Sequence, residues 1–323
     1  MINRRNFIHA ALASGGAMLV PLGWAPRALA DDKKYTIGFS QATTLEPWRV
    51  QFNKDLKAEA GKHPNVNLLM ADAEDKTEKQ VADTESFITQ EVDAILISPK
   101  ESAGLTAVVE KAMDAKIPVF VLDRNVNSEK YTQWIGGDNV VIGRAVGDFV
   151  VKTLGGAGKA KGNVVEIWGG LGTQASHDRS NGYHEKADKE SGIKHLLNQQ
   201  SADWKQAKAY EVMSTALRNF EDINLVYGHN DPMAYGAYLA AKDAGREKNI
   251  LFVGVDALPN EGVKYVHDGV LAATFVYPTP GAEGLRQALK VLGGGTVEKK
   301  LVLDTQTITK DNADTILKAN GLL

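Results

Sequence analysis

Short, continuously apolar runs alternate along this chain with longer stretches in which apolar residues recur every three or four positions. Thr36-Ile37-Gly38-Phe39-Ser40, Leu68-Leu69-Met70, Ala94-Ile95-Leu96-Ile97 and Val119-Phe120-Val121-Leu122 read as strands. Runs without polar alternation imply burial on both faces, as in a parallel sheet covered by helices. Between them the spacing predicts helices over 48–61, 76–90 and 105–115, with Val81, Ala82, Phe87 and Ile88 on one stripe. A helix over 139–154 then opens a second series. Its strands are 164–168, 194–197, 225–227 and 251–255, and its helices begin at Ala175, Trp204, Pro232 and Leu258. Two successive βαβα units predict an α/β fold of two Rossmann-like parallel-sheet lobes. No Pro- or Ser-rich linker separates them. The last segment, 271–323, adds two strands and two helices, so more than one crossing between the lobes is expected.

The first residues follow a different pattern. Arg4 and Arg5 precede an apolar run without charge from Phe7 to Trp24, which ends at Arg27-Ala28-Leu29-Ala30, an A-x-A cleavage site. Gly15, Gly16 and Pro21 interrupt the run, which argues against a permanent membrane span. Paired arginines with Phe7 two positions on read as a twin-arginine export signal over 1–30, an ordinary secretory signal being the alternative. The processed chain would begin near Asp31 and reside in the periplasm. The formal net charge is −3, and losing Arg4, Arg5 and Arg27 makes the remainder more acidic, a poor match for nucleic acid or an anionic membrane. There is no cysteine, which removes thiolate catalysis, iron–sulfur clusters and cysteine zinc sites.

In open α/β sheets ligands bind beyond the carboxyl ends of the strands. Those ends carry Ser40 followed by Glu46, Trp48 and Arg49, then Ser98, then Asp123 and Arg124. Further on they carry Arg179, Asn230 with Asp231, Asp256 and Tyr277. Any one Asp or Asn there would serve as a helix N-cap. Together they form a set of planar donors and acceptors with aromatic platforms. Sugar hydroxyls pair with carboxylates, amides and guanidiniums, and the C–H face of a sugar ring stacks on Trp or Tyr.

Several of these residues lie in recognisable runs: Leu122-Asp123-Arg124, Gly137-Asp138-Asn139, His229-Asn230-Asp231-Pro232-Met233-Ala234 and Gly254-Val255-Asp256-Ala257-Leu258-Pro259. In that order they resemble the ribose-binding-protein branch of the type I periplasmic sugar-binding proteins. Gly38-Phe39-Ser40-Gln41 with Trp48-Arg49 is closer to galactofuranose-type members. The resemblance implies two lobes joined by three crossovers, 35–137 with 278–304 and 138–277 with 305–323. It also implies a monosaccharide ligand, an ABC permease as partner, a monomer, no cofactor and no catalysis. Carried over by position, Glu46, Trp48, Arg49, Ser98, Asp123 and Arg124 line the first lobe. Arg179, Trp204, Asn230, Asp256 and Tyr277 line the second and its hinge. Val255, Arg49 and Tyr277 depart from the ribose-binder pattern and favour a more polar or larger ligand than ribose.

Other chemistries find less support. Gly170-Leu171-Gly172-Thr173-Gln174-Ala175 matches G-x-G-x-x-A after a strand, which makes an exported NAD(P)-dependent oxidoreductase acting on sugars the rival reading. It follows the first strand of the second series rather than the first strand of the chain, and the acids some twenty positions on, Asp188 and Glu190, are expected in a helix. Ser176-His177-Asp178 is adjacency rather than a triad. His184-Glu185 lacks a zincin's second histidine, and the other histidines show no ligand spacing, so no metal site is expected. Asp72-Ala73-Glu74-Asp75 reads as a helix-start acidic cluster. A sugar-responsive repressor would share the lobes but would carry DNA-binding helices where this chain has Arg4 and Arg5.

Overall fold

The computed structural model describes residues 33–323; the expected export signal, with Arg4, Arg5 and Phe7, lies outside the described residues. The first series runs β1 (Tyr35–Gln41), α1 (Pro47–Ala60), β2 (Val66–Asp72), α2 (Thr77–Thr89), β3 (Ala94–Ser98), α3 (Ser102–Asp114), β4 (Val119–Leu122) and β5 (Gln133–Gly137). The second runs α4 (Asn139–Thr153), β6 (Lys161–Trp168), α5 (Gln174–Ala187), β7 (Gly192–His195), β8 (Gln200–Ser201), α6 (Gln206–Asn219), β9 (Leu225–Gly228), α7 (Asp231–Asp243), β10 (Leu251–Val253) and α8 (Lys264–His267). The chain closes with β11 (Thr274–Phe275), α9 (Gly281–Leu292), β12 (Lys300–Leu303), β13 (Thr307–Ile308) and α10 (Lys310–Ala319).

Two parallel sheets result. The first has the order β12-β5-β4-β3-β1-β2, and the second β10-β9-β6-β7 with β8 also on β6. Each reverses its strand order beside its first strand, β1 against β3 and β6 against β9, which opens a crevice at the carboxyl ends there. The chain passes between the sheets three times: after β5, after β11, and after β12, when β13 returns to pair antiparallel with β11. Both sheets are covered by helices, as the unbroken apolar strands require. Ile37, Phe39, Leu96 and Phe120 are buried in the first, Val165, Ile167 and Val226 in the second.

Some boundaries differ from expectation. The strand expected over 194–197 is shifted to Gly192–His195, and the helix expected from Trp204 starts at Gln206 because Asp203 and Trp204 take left-handed φ of 52° and 66°. The last segment contains three short strands rather than two. The helix expected from Leu258 begins as a π-helical turn, Pro259–Val263, before α8.

One helix pair sets the site. α4 and α5 pack backbone to backbone through glycines: a Cβ on Gly143 would lie 2.2 Å from the Arg179 carbonyl oxygen, and one on Gly182 2.2 Å from that of Val140. Only glycine permits so close an approach. It brings Asn139, the first residue of α4, against Arg179 on α5. Asp138 caps α4, its carboxylate accepting from the amides of Val140 and Val141 at 3.0 and 3.1 Å.

Candidate functional site

A cleft with about 390 Å³ of atom-free space lies between the carboxyl ends of the two sheets. It is lined by Glu46, Trp48, Arg49, Asp123 and Arg124 from the first and by Arg179, Trp204, Asn230 and Asp256 from the second, with Tyr277 at the crossing. Pro47, Ala175 and Pro232 complete the wall. Ten of the twelve residues expected from sequence therefore meet in one place.

Ser40 and Ser98 do not line it. Ser98 ends β3, and its hydroxyl accepts from Arg49 Nη1 at 2.8 Å, so it stands behind the arginine. Ser40 is fully buried within β1, and its hydroxyl finds no partner among the described residues.

The first-sheet side is organised around Arg49. Pro47 starts α1 with a preset φ, which puts Trp48 and Arg49 in the first turn. The guanidinium donates to Glu46 (2.9 Å), Gln41 (2.6 Å), Ser98 and Asp123 (3.1 Å). Burial works against its charge, but Glu46 and Asp123 outweigh burial and hold it more firmly protonated than a free arginine. Asp123 takes a left-handed φ of 67° after β4, and its other oxygen accepts from the Tyr277 hydroxyl at 2.6 Å. Arg124 donates to the Lys100 carbonyl at 2.9 Å. Burial, then the neighbouring Arg49, lower its pKa.

On the second-sheet side, Arg179 is 2% exposed. It donates to Asn139 Oδ1 (2.9 Å) and to the His229 carbonyl, and its guanidinium lies 4.5 Å over the Tyr277 ring. Asn230 caps α7 by accepting from the Met233 amide at 2.9 Å, and its amide group donates to the Trp204 carbonyl. The bland helix-cap role is thus real, and the residue still lines the cleft. Trp204 carries the guanidiniums of Arg124 and Arg179 over its indole at 5.3 and 5.4 Å. Trp48 stacks on Tyr277 with ring centroids 5.1 Å apart, and its indole N–H donates to the Tyr277 carbonyl at 2.7 Å.

Asp256 stands apart from these braced groups. Its backbone φ is 125°, and among the described residues its carboxylate accepts no hydrogen bond from protein, although it is 8% exposed. Burial pushes its pKa well above the carboxylate range, Arg179 offsetting only part of that. Beneath it Asp231, also pushed upward by burial, accepts from the Ala257 amide (2.8 Å) and the Thr274 hydroxyl (2.7 Å), which fixes the turn that presents Asp256. A buried carboxylate facing a cavity without a partner is a hydrogen-bond acceptor poised for a ligand's donors.

Sequence reasoning missed Asn139, although Gly137-Asp138-Asn139 was in view; the Asp138 cap was the signal that fixes its position. It also missed an ion network at the rim. Asp75, after β2, pairs with Lys100, after β3, at 2.5 Å and with Lys205 at 2.8 Å; Lys205 also pairs with Asp203 at 2.9 Å. Lys205 and Asp203 follow β8, so the network joins the two sheets. Asp75 is therefore not part of a helix-start cluster: α2 starts at Thr77, and Glu74 and Asp75 take left-handed φ.

The rival motifs lead elsewhere. The Trp204 indole fills the space over Gly169 and Gly170, within 2.3 and 2.9 Å of where their Cβ atoms would be, and the Glu101 side chain covers Gly172. That occupied turn offers no cradle for a pyrophosphate. Ser176 shares a hydrogen bond with Thr173, His177 meets the Leu171 carbonyl, and Asp178 accepts from Gln174, so the three form no relay.

Comparison with known proteins agrees with this geometry. The chain is 34% identical over 281 residues to the galactofuranose-binding protein YtfQ of Escherichia coli (strain K12), covering 84% of this chain and 87% of that one. It is 33% identical to the ribose import binding protein RbsB of Bacillus subtilis (strain 168), covering 89% and 93%. Among solved structures, a fructose-binding periplasmic domain of a hybrid two-component system superposes with a TM-score of 0.84 at 38% identity, covering 89% of this chain and 94% of that one. The model of the periplasmic binding protein domain matches residues 37–296, and with the fold and cleft above, the chain belongs to that family.

Proposed function

We propose that this protein is the periplasmic substrate-binding component of an ABC sugar importer. It holds one monosaccharide between two lobes, 35–137 with 278–304 and 138–277 with 305–323, and delivers it to membrane permease subunits as a monomer. The observation that carries this reading is the cleft itself. Fixed guanidiniums and carboxylates from both sheets converge beside Trp and Tyr rings, and nothing among them is arranged as nucleophile and base. A sugar touching both sides favours the closed form because only that form makes both sets of contacts. The relatives, named for galactofuranose, ribose and fructose, support a small sugar and identify candidates. Export through the segment 1–30, by the twin-arginine route, follows from Arg4, Arg5 and Phe7.

A thermal-shift panel of pentoses and hexoses, including galactofuranose, fructose and ribose, tests this. A sugar at 100 times its dissociation constant should stabilise the protein by about 2.7 kcal/mol. Stabilisation by NAD(P) and by no sugar would replace the transport reading with the oxidoreductase one.

A further inference from the structure

On the outer side of the second sheet, three side chains that sequence spacing did not connect come together. His184 lies in the last turn of α5, Asp188 follows that helix as its C-cap, and His195 ends β7. We propose that His184 Nδ1, His195 Nδ1 and a carboxylate oxygen of Asp188 bind a divalent transition-metal ion, with zinc the best fit.

The three ligand atoms lie within 4.8 Å of one another. Asp188 Oδ1 is 2.8 Å from His184 Nδ1 and 3.8 Å from His195 Nδ1. Ligands bound to zinc at about 2.0–2.1 Å in a tetrahedron stand about 3.3 Å apart, so Asp188 Oδ1 needs to move by about 0.5 Å relative to each imidazole nitrogen. Two imidazoles and a carboxylate suit zinc and its neighbours; calcium and magnesium prefer all-oxygen sites. The exposed Asp188 leaves the remaining position to water.

The second observation is what stands behind each histidine. His184 Nε2 is 3.1 Å from Glu166 Oε2, and the other oxygen of that buried carboxylate is 2.9 Å from His229 Nε2. His195 Nε2 is 3.1 Å from the hydroxyl of fully buried Tyr183. Each ring is thus oriented from its rear nitrogen, with Nδ1 turned toward Asp188. A carboxylate behind a ligating histidine raises its basicity and fixes its tautomer. A carboxylate behind one ring nitrogen is not special to His184, since His63 meets Glu59, His267 meets Asp314 and His229 shares Glu166; among the described residues only His184 and His195 also bring their other nitrogens together around one carboxylate. Without an ion, the two ring nitrogens of His184 face two carboxylates, Nε2–H donating to Glu166 and Nδ1–H to Asp188. The ion displaces the proton on Nδ1, and Nε2–H continues to donate to Glu166. The ion would tie the end of α5 to β7, stiffening the helix that carries Arg179.

The experiment is zinc titration of tag-free protein, read by competition with a chromophoric chelator and by thermal shift. One zinc per chain should bind, and saturation at 100 times the dissociation constant should raise the melting temperature by about 4 °C. His195→Ala, on a partly exposed side chain, and Asp188→Asn, on an exposed one, should each weaken binding about 100-fold or more. Glu166→Gln, which touches no ion, should weaken it by about 10- to 100-fold. His63→Ala should leave it unchanged, as should added magnesium or calcium. Absence of saturable one-to-one binding, or retention of it in folded His195→Ala, overturns the proposal.

Discussion

Arg49 and Asp256 illustrate two ways of burying a charge beside a cavity. Arg49 is surrounded by acceptors from its own side, so its position is set before any ligand arrives. Asp256 has a fixed backbone and a carboxylate whose charge burial disfavours, an arrangement that costs stability and is tolerated where function needs it. Asp256→Asn should therefore raise or preserve the melting temperature while weakening sugar binding by about tenfold to a hundredfold. Loss of stability with unchanged affinity would make Asp256 structural. The coupled pair Asp231 and Asp256 also sets a pH dependence. Their folded pKa values lie above the unfolded ones, so the native state binds more protons. Stability should fall as pH rises from about 4 toward neutrality, as thermal melts would show, and the decline should be smaller in Asp256→Asn. Arg179 has Asn139, His229 and Tyr277 as partners. Arg179→Ala should weaken sugar binding by about tenfold or more and also lower the melting temperature. Arg179→Lys should recover little, since one ammonium cannot reproduce the planar fork. The strand-end rule found the residues that reach the cavity. Ser98, at the end of β3, Gln41, at the end of β1, and Asn139, after β5, act through another side chain, and position at a strand end does not distinguish such support from ligand contact.

At the scale of elements, the apolar runs identified β1 to β4, β6, β9 and β10 because burial on both faces leaves no polar alternation, whereas β5, which opens on Gln133 and closes on two glycines, carries no such run and was missed. Boundaries moved where backbone conformation decides, as at Asp203 and Trp204 before α6. The α4–α5 contact was not legible at all, since Gly143, Gly147 and Gly182 inside helices look like weak helix formers until the facing backbone is known. Gly143→Ala should force the helices apart. A cost of about 1–3 kcal/mol is expected in denaturant melts, together with weaker sugar binding through displaced Arg179. A melt indistinguishable from the parent's would show that the close approach is not needed.

Across the whole molecule, Asp75, Lys100, Lys205 and Asp203 connect the two sheets at the cleft rim. Burial raises the Asp75 pKa, but the hydrogen bonds from Lys100 and Lys205 outweigh it and keep the carboxylate charged. These groups are partly exposed, so the network contributes about 1 kcal/mol or less to holding the two sheets together. Lys205→Ala should speed sugar release severalfold, with the difference shrinking as salt rises. Equal dissociation rates in stopped flow at low salt would remove the network from closure. Sequence could not show it, because its four members come from three separate loops.

On the proposed function, one monosaccharide bridges the two sheets and leaves unchanged. Titration calorimetry with the sugar found by thermal shift, with small-angle scattering at saturation and NMR of the recovered ligand, tests it most directly. The account predicts one site per chain, a smaller radius of gyration on saturation and chemically intact sugar. Turnover of the sugar, or saturation without compaction by a protein that is open when free, would contradict it.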